Sequence, residues 1–293
     1  MDRFKATKIS SVLGIVGNIF LLIIKGIIGY ITSSQSMIAD AFNSAGDIFS
    51  SCMTFIGNKI SSKEADEDHH LGHGKAEYIY SLLISITMIV LSVTVIKNAI
   101  MTLVNKEYFE YSIWLIIICL ITIITKFSLF LFTDKLYKKH NNILIKANSI
   151  DHRNDCFITI TTLISIILSN MGLYFVDAVV GILISLWIFY TAIKLFVESY
   201  DILMDKAMSE ETKEKVLQII NKHEEVIKIQ HFNATPVGYR YQISFTIYVD
   251  GNMSTFDSHA IANSLEREIE KEIPEIYLTV IHVNPTEIEK KNK

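Results

Sequence analysis

Long apolar runs separated by short polar segments fill the first two thirds of the chain. Runs at 12–31, 78–96, 113–132, 156–169 and 175–197 read as membrane-crossing helices, for which a full crossing takes roughly 20 residues. A sixth run at 36–57, SMIADAFNSAGDIFSSCMTFIG, is weaker because polar residues interrupt it. The pattern predicts an α-helical membrane protein with six transmembrane helices over residues 1–206. Arg3, Lys5 and Lys8 precede the first run, Lys59, Lys63 and Lys75 lie between the second and third, and Lys135, Lys138 and Lys139 follow the fourth. Segments ITSSQS and SNMGLY carry no basic residue. Basic residues in short loops stay on the cytoplasmic side, so both termini are expected in the cytoplasm and the loops 31–36 and 169–174 outside.

After Val197 the pattern changes, and residues 207–293 read as a separate cytoplasmic α+β domain. Ser209 followed by Glu210 and Glu211 marks a helix start, with Val216, Ile219 and Ile220 on one apolar face. In YRYQISFTIYVD, residues Tyr239, Tyr241, Ile243, Phe245, Ile247 and Val249 alternate with mostly polar neighbours, as in a half-buried strand. Ser254 to Asp257 opens a second helix through Glu270, and EIYLTVIHVNP reads as a last strand. The order helix, strand, strand, helix, strand suits helices layered on one face of a sheet.

Composition fits a membrane chain: 50% of residues are hydrophobic and 20% charged. A net charge of −4 without a basic cluster leaves no nucleic-acid partner to expect. No GxxxxGKS segment suggests an ATPase and no HExxH segment a metallohydrolase. We expect no enzyme and no resident cofactor. Cys52, Cys119 and Cys156 are isolated in or beside apolar runs and read as packing residues. Richness in Ile, Lys and Asn with only 3 Pro points to an AT-rich bacterial genome, hence a bacterial plasma membrane.

Candidate chemistry lies in NSAGD (43–47) and DHRND (151–155). Residues four apart on a helix share a face, so Asn43 pairs with Asp47 and Asp151 with Asp155. Carboxylates at membrane depth face the bundle interior and find partners, and two such pairs form an oxygen-rich site suited to a divalent cation. His152 points about 100° from Asp151 and is not counted as a ligand. Lys126 is read as snorkelling to the cytoplasmic end, and Lys25 as snorkelling outward or pairing with Asp40; an ammonium cannot ligate a metal. Between the second and third runs, Asp66, His69 and His73 have a spacing that suits a transition ion, with His70 equally placed by sequence.

At these residues the chain resembles the cation diffusion facilitators, metal-exporting antiporters, in the manganese-exporting branch. SMIADAFNSAGDIFSS, HHLGHGKAEY, ANSIDHRNDC, SHAIANSLE and IHVNP are similar to the family's signatures. The resemblance implies a homodimer, a ferredoxin-like cytoplasmic domain, and one divalent ion exchanged for protons. It places the transport site on Asn43, Asp47, Asp151 and Asp155 and a loop site on Asp66, His69 and His73. Zinc-transporting members usually carry histidine at position 43, 151 or both, and this chain has neither. Lys75 and Asp205 match a charge lock. His231, His259 and His282 match cytoplasmic ligand positions, although Phe245 replaces a further histidine and Asn284 a carboxylate. The expected cargo is Mn²⁺, with Fe²⁺, Zn²⁺ or Co²⁺ efflux or a membrane-anchored metal sensor as alternatives.

Overall fold

The computed structural model describes residues 2–31, 35–105, 113–169 and 174–286. The ITSSQS and SNMGLY loops fall largely outside the described residues. Contacts divide the chain into two units, residues 1–64 with 76–200, and residues 65–75 with 201–293.

The first unit holds helices α1 (Arg3–Ile31), α2 (Gln35–Ser61), α3 (Ala76–Asn105), α4 (Ile113–His140), α5 (Ile143–Ser169) and α6 (Tyr174–Leu203). Six membrane crossings were expected, and the structure corrects this number. Among the described residues four helical stretches are long and apolar enough to cross: Arg3–Ile28, Ala76–Met101, Ile113–His140 and Ile182–Leu203. The helices that fall short, α2 and α5, are the two that carry the candidate site. Lys146, Asp151, His152, Arg153 and Asp155 crowd one part of α5, and serines with Asp47 dilute α2.

Helix α1 packs along α2, and α4 along α5. Gly14 permits the first contact: a Cβ there would lie 2.7 Å from Ser51 Oγ. Asn142 starts α5, its side-chain oxygen accepting from the backbone N–H of Leu144 at 2.8 Å and of Ile145 at 3.2 Å. That cap satisfies donors that a helix start leaves open. It also turns the chain back beside α4 within two residues.

The second unit contains α7 (Glu210–Ile220), β1 (Lys228–Val237), β2 (Arg240–Val249), α8 (Thr255–Glu272) and β3 (Ile276–Pro285). Strands β1 and β2 pair antiparallel, and β2 and β3 parallel, in the order β1-β2-β3. This is an α+β domain. Ser209 and Ser254 cap the two helices by accepting from Thr212 and Asp257 N–H. Ile243, Phe245, Ile247 and Val249 of β2 pack with Val216, Ile219, Ile220, Leu265 and Ile269 in one buried core. Tyr239, grouped with that face by alternation, lies in the β1–β2 turn and is exposed.

Candidate metal site between α2, α4 and α5

Thr54 of α2 donates to Asn148 Oδ1 of α5 across 2.9 Å, both buried, and Asn148 in turn lies 3.5 Å from Ser10 of α1. A buried polar pair of this kind fixes how two helices register. Seven residues, about two turns, separate Thr54 from Asp47 and Asn148 from Asp155. The carboxylates of Asp47 and Asp155 therefore face the same point.

At that point lies Lys126. Its Nζ is 2.6 Å from Asp47 Oδ2 and 2.5 Å from Asp155 Oδ2, and the residue is 1% exposed. The two carboxylate oxygens are thus about 5 Å apart at most. Lys126 does not snorkel: α4 continues to His140, well past the apolar run, which leaves Lys126 at mid-helix. Thr122, Lys126 and Thr133 are buried on α4, and that polar stripe at helical spacing was the available sequence signal. Lys25 is also buried and donates to Ser44 Oγ at 3.2 Å.

Asp151 is buried, and its Oδ2 has no partner among the described residues. Donor atoms of Asp151, His152 and Asp155 lie within 4.8 Å of one another. Helix geometry directs His152 away from Asp151, yet its ring reaches this group, is fully buried, and has both nitrogens unpartnered among the described residues. Asn43 sits one turn before Asp47 on α2, but its side chain lies outside the described residues, as does that of Asp40.

The loop residues also come together. Asp66 Oδ1 is 3.2 Å from His69 Nδ1, Asp66 Oδ2 is 3.4 Å from His73 Nε2, and the two imidazole centroids are 4.4 Å apart. Partial desolvation works against ionisation of Asp66, but the His69 backbone N–H, the His69 ring and the His73 ring outweigh it and hold its pKa below the ordinary value. One carboxylate and two imidazoles within this reach form a partial coordination set. His70 is exposed and stands outside the group.

Lys75 Nζ meets Asp205 Oδ1 at 2.7 Å. The remaining histidines are dispersed. His231 sits at a β-bulge with φ 53°, His259 lines a cavity of ≈ 380 Å³ on α8, and His282 pairs with Thr246 along β3. Among the described residues none of them joins a group of three metal-binding donors.

Residues 11–204 match the cation efflux transmembrane domain, and residues 208–286 the cytoplasmic domain of cation efflux proteins. The manganese efflux system protein MneP of Bacillus subtilis (strain 168) is 27% identical over 292 residues, covering 97% of this chain and 98% of the relative. MneS of the same organism, also a manganese efflux system protein, is 29% identical over 286 residues, 98% of each chain. The cation-efflux pump FieF of Shewanella oneidensis is 24% identical over 282 residues, 96% of this chain and 95% of the relative.

Proposed function

The chain belongs to the cation diffusion facilitator family of divalent-cation efflux transporters, and from that premise we propose that its cargo is Mn²⁺, carried out of the cytoplasm in exchange for protons. Membership makes it a multi-pass membrane protein with a cytoplasmic C-terminal domain, a transporter and not an enzyme. In our reading it works as a homodimer in a bacterial plasma membrane with both termini cytoplasmic. Asn43, Asp47, Asp151 and Asp155 hold the transported ion, and the division near residue 206 separates the transport part from the cytoplasmic part.

One observation carries the metal assignment: the carboxylates that converge between α2 and α5 are oxygen donors, Asp47 and Asp155 about one cation apart and Asp151 beside them. Carboxylate oxygens suit Mn²⁺, whereas zinc sites favour imidazole and thiolate. Full-length relatives named for manganese efflux support the same choice. Metal binds the deprotonated carboxylates and protons compete for the same oxygens, so exposing the site alternately to the two sides couples the fluxes by exclusion.

A second reading, efflux of Zn²⁺, Fe²⁺ or Co²⁺, is favoured by the nearness of the His152 imidazole to Asp151 and Asp155. Everted membrane vesicles from cells expressing the chain separate these readings from a sensor role. With an acidic interior they should accumulate Mn²⁺ in preference to Zn²⁺. Accumulation of Zn²⁺, Fe²⁺ or Co²⁺ in preference would establish the second reading, and accumulation of none of the four ions would leave a sensor.

A further inference from the structure

We infer that Lys126 is a tethered cation that competes with the transported metal, occupying the place between Asp47 and Asp155 and giving it up when a divalent ion binds. The inference rests on the reading that these carboxylates are the transport ligands.

Three observations lead to it. The first is position. The ammonium nitrogen lies 2.6 and 2.5 Å from one oxygen of each carboxylate, close to the metal–oxygen distances of about 2.0–2.6 Å that divalent ions adopt. An ion held by the same two oxygens would occupy nearly the same volume, so the two cations exclude each other. The second is burial. Lys126 is 1% exposed, and its attraction to the two carboxylates is poorly screened at that depth. The third is room to retreat. A cavity of ≈ 40 Å³ touches Lys25, Asp47, Thr122, Lys126, Asp155 and Thr159. Thr122, one turn before Lys126 on α4, is buried with its Oγ1 unpartnered among the described residues. That hydroxyl offers the displaced ammonium an acceptor without loss of its charge.

The chemistry gives the device a use. An exporter must return its site after releasing the ion, and buried carboxylates without a counter-charge make that step costly. A tethered ammonium supplies part of the counter-charge in the returning carrier and leaves it when metal arrives. In the loaded form the three carboxylates of Asp47, Asp151 and Asp155 offset Lys126 and one divalent ion, and the buried Lys25, which lines the same cavity, adds one further positive charge. The cost is weaker metal binding, since each ion must displace Lys126 first.

Substitutions at this position therefore act in opposite directions. Lys126→Gln removes the competitor, and the half-saturating Mn²⁺ concentration should fall roughly tenfold or more. Net Mn²⁺ efflux should fall further than Mn²⁺–Mn²⁺ exchange, which cycles only the loaded carrier and needs no empty return. Lys126→Arg keeps the charge and adds a planar fork that matches carboxylates, and half-saturation should rise severalfold. Both variants and the wild-type full-length chain are reconstituted in liposomes, checked for folding by monodisperse elution, and assayed with ⁵⁴Mn²⁺ for net flux and for exchange.

Unchanged half-saturation in folded Lys126→Gln, or equal loss of net flux and exchange, overturns the inference. If Lys126→Gln does not fold, the Arg variant decides: half-saturation at or below the wild-type value overturns the inference, and a severalfold rise supports it. A wild-type protein that moves no Mn²⁺ in either mode overturns the Mn²⁺ transport reading, and this inference with it.

Discussion

Thr54 Oγ1 donates to Asn148 Oδ1 across 2.9 Å, two turns from Asp47 on one helix and two turns from Asp155 on the other. The bond sets the register that brings the two carboxylates opposite each other. Thr54→Val removes the donor while keeping shape, and the Asn148 carbonyl is left unpaired in the bundle. A loss of about 1 kcal/mol of stability is expected, with half-saturating Mn²⁺ raised several-fold because the ligands no longer meet squarely. Thermal unfolding in detergent together with vesicle uptake checks both, and an unchanged Mn²⁺ half-saturation would remove the register argument.

Asp151→His should raise Zn²⁺ transport relative to Mn²⁺. Imidazole is the better zinc ligand, and the change puts a second ring beside His152. Competition between the two ions in vesicles measures the ratio. An unchanged ratio would mean that these donors do not decide ion choice.

Gly238 has φ +66° in the two-residue turn between β1 and β2, and a Cβ there would lie 2.8 Å from the Gly74 Cα. Glycine at the first position of such a hairpin turn is what the backbone requires. Gly238→Ala meets the left-handed penalty of about 1–2 kcal/mol and backbone that cannot move aside cheaply. The full-length variant should therefore unfold at lower temperature. An unfolding midpoint equal to the wild type would show that the turn can relax.

Residues 206–293 should fold when expressed alone, because the core around Ile243, Phe245, Val216 and Leu265 draws only on this segment. Within it, the hydrogen bond between Glu268 and His223 at 3.0 Å, with lesser help from the charges of His223 and Lys222, holds the Glu268 pKa below its ordinary value. A depressed carboxylate contributes stability above its unfolded pKa, about 4.3, and loses it as the pH falls through the lower folded value. Glu268→Gln should reduce the stability difference between neutral pH and the acid side of that window. Urea unfolding at several pH values tests it, and identical pH profiles for the two proteins would contradict it.

Much of this architecture is legible in the chain because helix and strand periodicities are local. The alternation in β2 and the capping serines Ser209 and Ser254 are read from neighbours alone. The pairing of Asp151 with Asp155 also follows from 3.6 residues per turn. Crossing number is not legible from helix length alone: α2 and α5 have the length, but Asp47, Ser51, Thr54, Asn148, Asp151 and Asn154 are polar and buried within the bundle. The meeting of Lys126 with Asp47 and Asp155 was hidden for a different reason. Spacing tells which residues share a face on one helix, and it cannot tell which faces of three helices turn toward one point. Only the packed bundle, with Thr54 bonded to Asn148, supplies that rotation.

The most direct test of the account is simultaneous recording of Mn²⁺ and proton movement in liposomes containing the full-length chain or its Asp155→Ala variant. The wild-type protein should carry Mn²⁺ one way and protons the other, and Asp155→Ala should carry neither, because a charged ligand has been removed from a site that must strip water from the ion. Wild-type Mn²⁺ flux in Asp155→Ala, or Mn²⁺ movement with no proton counterflow in the wild type, would contradict it.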